Sequence, residues 1–386
     1  HSIIIQNHFR FGRRKTLIFC VILQAFTGLM VSFVPEYWSF TIIRMILGFA
    51  VGGILIVGFV MVMEYVGHEY RDVVSALYHI PFTTGHILLA LFGYLIRDYV
   101  YFQVGISLSS IILLTYICIL PESPRWLLAV NRTTEAVQLM ERIAKINNLP
   151  VEHIERAVDL YQLEHKNHSK SYVWDLFRTP NMRKNMLVMS FLWLVCSYYF
   201  YGVSYYICHL TGDLYINVAA TGTVCVCSCL IAIPLMKVLK RKTVLVMSYS
   251  ACSLCLLTIA AVPEGKGSIV LGCFGLLSSF LIFVVSYLYC SEMFPTVVRN
   301  GAMGIASTMA RLGAMIAPFV ATLRPYGQWC APVAFGMFPL LAALLCFWLP
   351  ETKGRGLMMT LEEGENFGKK KPEPRNETAG ISGDIT

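Results

Sequence analysis

The chain has little charge, and acidic residues are the scarcer of its charged side chains. Asp and Glu supply 23 of the 386 residues, and charged residues make up 14% of the chain against 56% hydrophobic residues. Soluble domains carry about 25% charged residues, so a soluble fold could not hide this much apolar surface from water. The composition therefore excludes an ordinary soluble domain and predicts a membrane protein.

Signatures of several other functions are also absent. We find no pairing of a nucleophile with a base and no cluster of metal ligands, and nearly all of the thirteen cysteines lie inside apolar runs. The net charge of +8 does not indicate nucleic acid, because the basic residues lie between those runs. The sequence thus predicts no enzyme activity, no cofactor, no metal site and no nucleic-acid partner.

Long apolar runs are the main feature of the sequence. About 20 apolar residues form a helix that crosses the hydrocarbon core of a bilayer. Ten runs have about that length, at about 16–34, 38–64, 73–96, 101–120, 186–210, 217–237, 243–262, 268–290, 300–323 and 328–349. We therefore expect an all-α protein with about ten spans, for which the lipid bilayer is one partner.

Lys and Arg are distributed unevenly among the loops between these runs. Of the 31 basic residues, 26 fall in alternate loops that begin with the Arg10–Lys15 cluster, and three fall in the opposite set. Because Lys and Arg are retained on the cytoplasmic side of membrane proteins, this side is predicted to be cytoplasmic. Both ends of the chain are then cytoplasmic as well.

An internal repeat relates the two halves of the sequence. Glu64 and Arg71 lie 228 residues before Glu292 and Arg299. Two further junctions recur at nearly the same offset, Pro121–Glu122 with Pro350–Glu351 at 229 and Arg14–Lys15 with Arg241–Lys242 at 227. Such repeats are typical of secondary transporters. Subtracting this offset from the fifth and sixth apolar runs gives positions at or before the start of the sequence, where their counterparts in the first half would lie. We therefore expect a 6+6 pseudo-repeat whose first two helices are missing.

The repeat predicts four regions along the chain. They are an incomplete N-terminal helical half of about four spans (1–120), a cytoplasmic linker with amphipathic helices (121–185), a C-terminal half of six spans (186–350) and a cytoplasmic tail (351–386).

The junction sequences resemble those of a known superfamily. Phe11-Gly-Arg-Arg-Lys15, Pro121-Glu-Ser-Pro-Arg-Trp-Leu127 and Pro350-Glu-Thr-Lys-Gly-Arg355 are similar to motifs of the major facilitator superfamily. Ser291-Glu-Met-Phe-Pro-Thr-Val-Val-Arg-Asn300, Ile96-Arg-Asp98 and Phe200-Tyr-Gly202 resemble its organic cation/anion/zwitterion transporter family, the solute carrier 22-like proteins. The resemblance implies the major facilitator fold and a plasma-membrane carrier that moves small organic ions by alternating access.

Two alternatives to this function stay open. A sugar porter shares the Pro-Glu-Ser-Pro-Arg and Pro-Glu-Thr-Lys-Gly sequences, although the run at 186–210 has no Gln and is rich in aromatic residues. A truncated paralogue that does not transport is the other alternative.

Charged residues at the predicted cytoplasmic ends of the spans resemble the superfamily's latch between halves, a set of ion pairs that forms and breaks during transport. Partly exposed ion pairs contribute about 0–1 kcal/mol each, so a network of them can close the halves and still open. The alternative is that these charges report topology alone. The predicted gating residues are Arg13, Arg14, Glu64, Arg71, Glu122, Arg125, Glu292 and Arg299.

Arg311 falls near the middle of a span, where a charge is unfavourable unless it is paired or hydrated. We interpret it as a ligand for the carboxylate or sulfate of an organic anion or zwitterion. The alternative is that Arg311 forms a structural ion pair with another helix. An organic cation is also possible as the substrate. By resemblance, Trp193, Phe200, Tyr201 and Tyr94 are expected to line the cavity, where aromatic faces stack on flat substrates or attract organic cations.

Two smaller patterns lie within the spans. His79 and His86 are seven residues apart and share a helix face, which suits either a proton relay or hydrogen-bonded packing. Gly48 and Gly52 form a Gly-x-x-x-Gly sequence, which predicts a close contact between helices.

Overall fold

The computed structural model describes residues 12–164, 173–208, 213–261, 266–295, 298–323, 327, 329–354, 358 and 361–367. These residues are almost entirely helical, and none of them lies in a β-strand. The first group of long helices comprises α1 (Arg13–Phe33), α2 (Tyr37–Tyr65), α3 (Arg71–Leu95) and α4 (Tyr99–Ile119, with a 3₁₀ turn at Ile111–Thr115). We call this group the N-half.

Three short helices follow the N-half and lead into a second group of long helices. The short ones are α5 (Pro124–Ala129), α6 (Thr133–Ile146) and α7 (Ile154–Glu164). The second group, which we call the C-half, comprises α8 (Pro180–Cys208), α9 (Leu214–Val238), α10 (Arg241–Ala261), α11 (Lys266–Met293), α12 (Arg299–Ala321) and α13 (Cys330–Cys346). A last short helix, α14 (Leu361–Asn366), ends the described residues apart from Phe367; residues 368–386, most of the predicted tail, lie outside them.

Nine of the ten predicted spans are confirmed as apolar helices of 21 to 29 residues in the described part of the chain. The tenth, α13, has 17 residues and is about 26 Å long at 1.5 Å per residue. The apolar residues Phe347–Leu349 that follow it continue as turns, which is why the hydropathy pattern extends beyond the helix.

Large apolar side chains are exposed around the outside of the bundle. Phe26 is 64% exposed, Met45 73%, Leu254 69% and Phe319 75%. In water, an apolar surface of this extent would drive association, whereas lipid tails match it. The chain is therefore a multi-pass integral membrane protein.

Local sequence explains where several helices begin. Asp98 accepts hydrogen bonds from the backbone N–H groups of Val100 and Tyr101 at 3.0 and 3.1 Å, and so caps α4. Asp213 caps α9 through the Tyr215 N–H at 2.8 Å. A side-chain oxygen at this position satisfies N–H groups that have no partner within the helix.

Close helix pairs hold the bundle together. In the C-half, α8 packs along α12 and α10 packs along α13; α3 packs along α9 and joins the two halves. A Cβ on Gly313 of α12 would collide with the backbone of Leu194 in α8, so glycine sets this approach. The close contact predicted at Gly48 is wrong, because a Cβ there would meet no atom within 4 Å. In α2, Gly53 packs tightly against the Cys20 thiol and Gly58 against the Tyr78 hydroxyl.

The short helix α14 and Phe367 are hydrogen-bonded to the start of α8. Glu365 accepts hydrogen bonds from the backbone N–H groups of Asn181 and Met182, both at 3.1 Å. The Asn181 side-chain amide donates to the backbone oxygens of Glu365 and Phe367 at 2.8 and 2.9 Å. The carboxylate thus caps α8 from a segment about 180 residues away.

Glu365→Ala is therefore expected to weaken the start of α8. Losing a cap of this kind costs about 0.5–2 kcal/mol, which corresponds to about 1–3 °C in melting temperature for a chain of this size. Thermal unfolding of the purified protein, followed by fluorescence-detected size exclusion, measures the shift. Glu362→Ala on the same helix is the control, because Glu362 is exposed, and equal melting temperatures for the two variants would contradict the assignment.

Candidate functional site

One end of the bundle carries most of the predicted gating residues, and we call it the latch face. The helices α1, α3, α10 and α12 begin there, and α2, α4, α9, α11 and α13 end there. The linker helix α5 packs on α2 at the same end.

A buried ion pair joins α1 to α2 on the latch face. Nη2 of Arg13 lies 3.3 Å from Oε1 of Glu64, and the two side chains are 4% and 2% exposed. The second Glu64 oxygen accepts a hydrogen bond of 2.5 Å from the Ser123 hydroxyl. Removing one partner of such a pair leaves a charge in a site with little water, so the three groups depend on one another.

Glu122 caps the start of α1 beside this pair. Its Oε1 accepts hydrogen bonds from the backbone N–H groups of Arg13 and Arg14 at 2.8 and 3.0 Å, where the helix dipole favours a negative charge. Gly12 has φ +88°, and a Cβ there would overlap the Glu122 carboxylate. The cap therefore requires the glycine of the Phe-Gly-Arg-Arg sequence.

The C-half repeats this arrangement. Arg241 contacts Glu292 from Nε and from Nη2, both at 2.9 Å. Glu351 accepts hydrogen bonds from the backbone N–H groups of Arg241 and Lys242 at 3.2 and 3.3 Å. The predicted gating residue Glu292 thus has Arg241 as its partner, and the sequence patterns did not single out Arg241 for this role.

The shared cap corrects one detail of the repeat. The sequence comparison aligned Arg14–Lys15 with Arg241–Lys242 at an offset of 227. The capping carboxylates instead align Arg13–Arg14 with Arg241–Lys242. The offset is then 228 residues, the same as between Glu64 and Glu292.

A third ion pair joins the two halves directly. Oδ1 of Asp72, in the first turn of α3, lies 2.5 Å from Nη2 of Arg241 in α10, and the two side chains are 15% and 3% exposed. Sequence reasoning missed Asp72. The signal for it was an acidic residue beside Arg71 in the first turn of a span, on the side of the membrane where basic residues dominate.

Arg71 and Arg299 are buried, at 4% and 1% exposure. Arg71 interacts electrostatically with Glu292 of the other half, and Arg299 interacts with Glu64 of the other half. Half-buried Arg125 repels both. Among the described residues none of these three arginines forms an ion pair within 4 Å, so the structure brings them into one charged cluster without direct pairing.

Arg311 lies in α12, twelve residues beyond Arg299 and so about 18 Å further along the helix axis. Its Nη1 donates a hydrogen bond of 2.9 Å to the Ser307 carbonyl one turn back and contacts the Ser307 hydroxyl. The side chain is half-buried, and it interacts electrostatically with Tyr201 and Tyr287. Within the described ranges no carboxylate pairs with it.

Aromatic rings fill the interface between the halves near Arg311. The Tyr287 ring centroid of α11 lies 4.5 Å from that of Trp193 in α8 and 5.1 Å from that of His79 in α3. The remaining rings of this aromatic cluster are Phe59, Tyr78, Phe82, Phe200, Phe280 and Phe283. Only Trp193 and Phe200 of this set were predicted as cavity residues, because single aromatic residues within the apolar helices α2, α3 and α11 resemble ordinary packing in the sequence.

The predicted aromatic residues are not all in one place. Phe200 belongs to the cluster and Tyr201 adjoins it, with their rings 5.3 Å apart, and Tyr201 is 47% exposed. Tyr94 is 56% exposed and contacts Tyr215 at the start of α9, at the end of the bundle opposite the latch face. Tyr94 is therefore separated from Arg311. His79 packs within the cluster, with Nδ1 2.8 Å from the Ser75 carbonyl.

Comparisons with known proteins agree with this arrangement. The family model described as sugar (and other) transporter matches residues 4–363. The organic cation transporter protein of Drosophila melanogaster is 33% identical over 96% of this chain and 69% of its own length. Solute carrier family 22 member 1 of Oryctolagus cuniculus and member 6-A of Xenopus laevis are each 31% identical, over 94% and 95% of this chain. The chain spans about two thirds of the length of these relatives.

Solved structures show the same fold at low identity. The proton:xylose symporter XylE bound to 6-bromo-6-deoxy-D-glucose superposes with a TM-score of 0.74 at 18% identity, over 92% of this chain and 84% of that one. The human organic anion transporter MFSD10 gives 0.62 at 13% identity, over 89% and 79%. The fold is that of the major facilitator superfamily. The chain belongs to that superfamily's sugar (and other) transporter family, a family of transporters rather than enzymes, and within it to solute carrier family 22.

Proposed function

We propose that the chain moves small organic ions across the membrane by alternating access, with organic anions or zwitterions preferred. The observation that carries the proposal is Arg311. It is a cation in the middle of a span, it reaches the aromatic cluster between the halves, and no described carboxylate neutralises it. An acidic group of a substrate would supply the missing partner and would fit a bidentate guanidinium.

The distribution of acidic residues supports the same preference. Glu64, Asp72 and Glu292 are the Asp and Glu residues within the ten helices that match the predicted spans, and all three lie at the latch face. None lies at the depth of Arg311. The middle of these helices therefore carries a positive charge and no negative one, which attracts an anion and repels a cation.

An organic cation is the second candidate substrate. Three relatives carry names that contain the words organic cation transporter, and the aromatic cluster offers ring faces, each of which attracts a cation by about 0.5–2 kcal/mol. A sugar is a weaker candidate, because α8 contributes no Gln to the interface.

We propose the plasma membrane as the location, with the latch face cytoplasmic. The basic residues support this orientation, since 26 of the 31 lie in the segments between or beyond the predicted spans on that side. A membrane potential of 100 mV acts on each charge by about 2.3 kcal/mol, so an anion needs exchange or cotransport to enter a negative cell. Uptake of an anion is therefore expected to be stimulated by anions loaded on the opposite side.

Uptake of four labelled probes tests the proposal: one organic anion, one zwitterion, one organic cation and one hexose. Vesicles containing the purified chain are compared with vesicles containing its Arg311→Ala variant. We expect anion or zwitterion uptake to fall at least about tenfold in the variant, because a charge-assisted bidentate contact is worth about 1.5–3 kcal/mol. Arg44→Ala is the matched control, since Arg44 lies over the Phe40 ring at 5.3 Å, away from the cluster.

The other outcomes separate the alternatives. Cation uptake that is indifferent to Arg311→Ala makes the arginine structural and assigns recognition to the aromatic rings. Hexose uptake alone favours a sugar porter. No uptake of any probe by a folded protein favours a paralogue that does not transport.

A further inference from the structure

One helix of each half begins beside the buried ion pair of the other half: α3 begins beside the Arg241–Glu292 pair, and α12 begins beside the Arg13–Glu64 pair. The start of α3 contacts the C-half pair, because Asp72 lies 2.5 Å from Arg241 and Arg71 interacts with Glu292. The start of α12 lies against the N-half pair, because Arg299 interacts electrostatically with both Glu64 and Arg13. The two contacts are related by the offset of 228 residues.

The two sides of this arrangement differ in charge at one position. The counterpart of Asp72 at that offset is Asn300, directly after Arg299 as Asp72 is directly after Arg71. The amide oxygen of Asn300 is buried and accepts no hydrogen bond within the described residues. One side of the latch face therefore has a carboxylate between the halves, and the related position on the other side has a neutral amide.

Asp72 faces the other half. Asp72, Ser75 and His79 recur at spacings of three and seven, so they lie on one face of α3. His79 on that face contacts the α11 rings of Phe283 and Tyr287 at 5.3 and 5.1 Å. The bond between Asp72 and Arg241 must therefore break whenever the halves separate at this end.

We propose that Asp72 is a gating residue: its pair with Arg241 holds the latch face closed, and Asn300 places no carboxylate at the related position, so that the face can reopen. The inference rests on the proposed alternating-access function. With both side chains largely buried, the pair is stronger than an exposed one. A second pair of the same kind would hold the halves together for longer in each cycle.

The charge at these two positions is then expected to set how often the latch face opens. Asp72→Asn removes the closing pair and favours the open state. Asn300→Asp adds a carboxylate beside the N-half pair and favours the closed state. The double variant moves the carboxylate from one side to the other and restores the balance.

The rate of maleimide labelling at Ser75→Cys measures this opening in the purified full chain. Labelling is read by mass spectrometry of the peptide that contains position 75, because the native Cys118 and Cys227 are exposed and react in either state. Ser75 is fully buried and lies one turn inside Asp72, so its replacement thiol reacts only when the halves part. Asp72→Asn is expected to raise the rate about tenfold, which equals 1.4 kcal/mol, and Asn300→Asp to lower it severalfold. The double variant is expected to label within about twofold of the Ser75→Cys parent.

Glu135→Gln is the matched control, because Glu135 forms an exposed pair with Arg132 at the start of the linker helix α6. The proposal is overturned if Asp72→Asn labels no faster than this control, or if Asn300→Asp fails to slow labelling. The labelling rate of Asn300→Asp still tests the proposal if the Asp72→Asn protein folds poorly. Labelling needs no substrate, so absent uptake with the expected labelling pattern would refute the transport function and leave the gate in place.

Discussion

Replacing Gly313 by alanine is expected to prevent the normal packing of α8 against α12 and to reduce folded protein severalfold. A Cβ at this position would overlap the Leu194 carbonyl oxygen and would lie 3.0 Å from the Tyr198 nitrogen. Both are backbone atoms, which cannot rotate aside as a flexible side chain does. Overpacking in a core costs about 1–3 kcal/mol, and a contact between two helix backbones belongs at the upper end of that range.

The change would also displace the candidate site, since Arg311 lies two residues before Gly313 and Trp193 lies beside Leu194. Folded protein is measured by size exclusion after detergent extraction and by melting temperature. Gly48→Ala is the matched control, because a Cβ there meets no atom within 4 Å and alanine favours a helix over glycine by about 1 kcal/mol. Similar yields and melting temperatures for the two variants would show that the α8–α12 approach is looser than described.

The membrane spans could be predicted from the sequence because hydropathy over twenty residues depends only on local composition. The same is true of the helix starts marked by Asp98 and Asp213, whose caps are two residues away from the groups they satisfy. The pairing of Glu64 with Arg13 was predicted only as membership of one charged set, since the repeat identifies positions and not partners.

The sequence patterns could not predict which residues of different helices come into contact. Gly48 and Gly53 are both glycines of α2, and only the position of Cys20 in α1 makes Gly53 the close contact. Tyr94 and Tyr287 are both tyrosines in spans, and only the packing of α3 against α9 and α11 places one at the end of the bundle and the other at its centre.

Asp72 shows the same limit for charges. Its neighbour Arg71 was selected because it recurs in the repeat, whereas Asp72 breaks the repeat and was passed over. The residue that departs from the internal symmetry is the one that joins the halves.

Glu292→Gln is expected to lower the melting temperature by about 5 °C and to abolish transport. The Glu292 side chain is 4% exposed, and Arg241 reaches both of its oxygens at 2.9 Å. Breaking a buried ion pair by removing one partner costs about 3–5 kcal/mol, and the lower end applies because Asp72 still holds Arg241. Spread over a chain of this size, about 3 kcal/mol corresponds to a shift of about 5 °C.

The repeat supplies an internal comparison for this variant. Glu64→Gln breaks the related N-half pair, whose side chains are equally buried, and is expected to lower the melting temperature by a similar amount. Glu135→Gln removes the same charge from an exposed pair and should leave the melting temperature unchanged, because exposed pairs contribute about 0–1 kcal/mol. A Glu292→Gln protein that melts normally and yet does not transport would assign Glu292 to the opening and closing of the latch face alone. One that melts and transports normally would remove it from both roles.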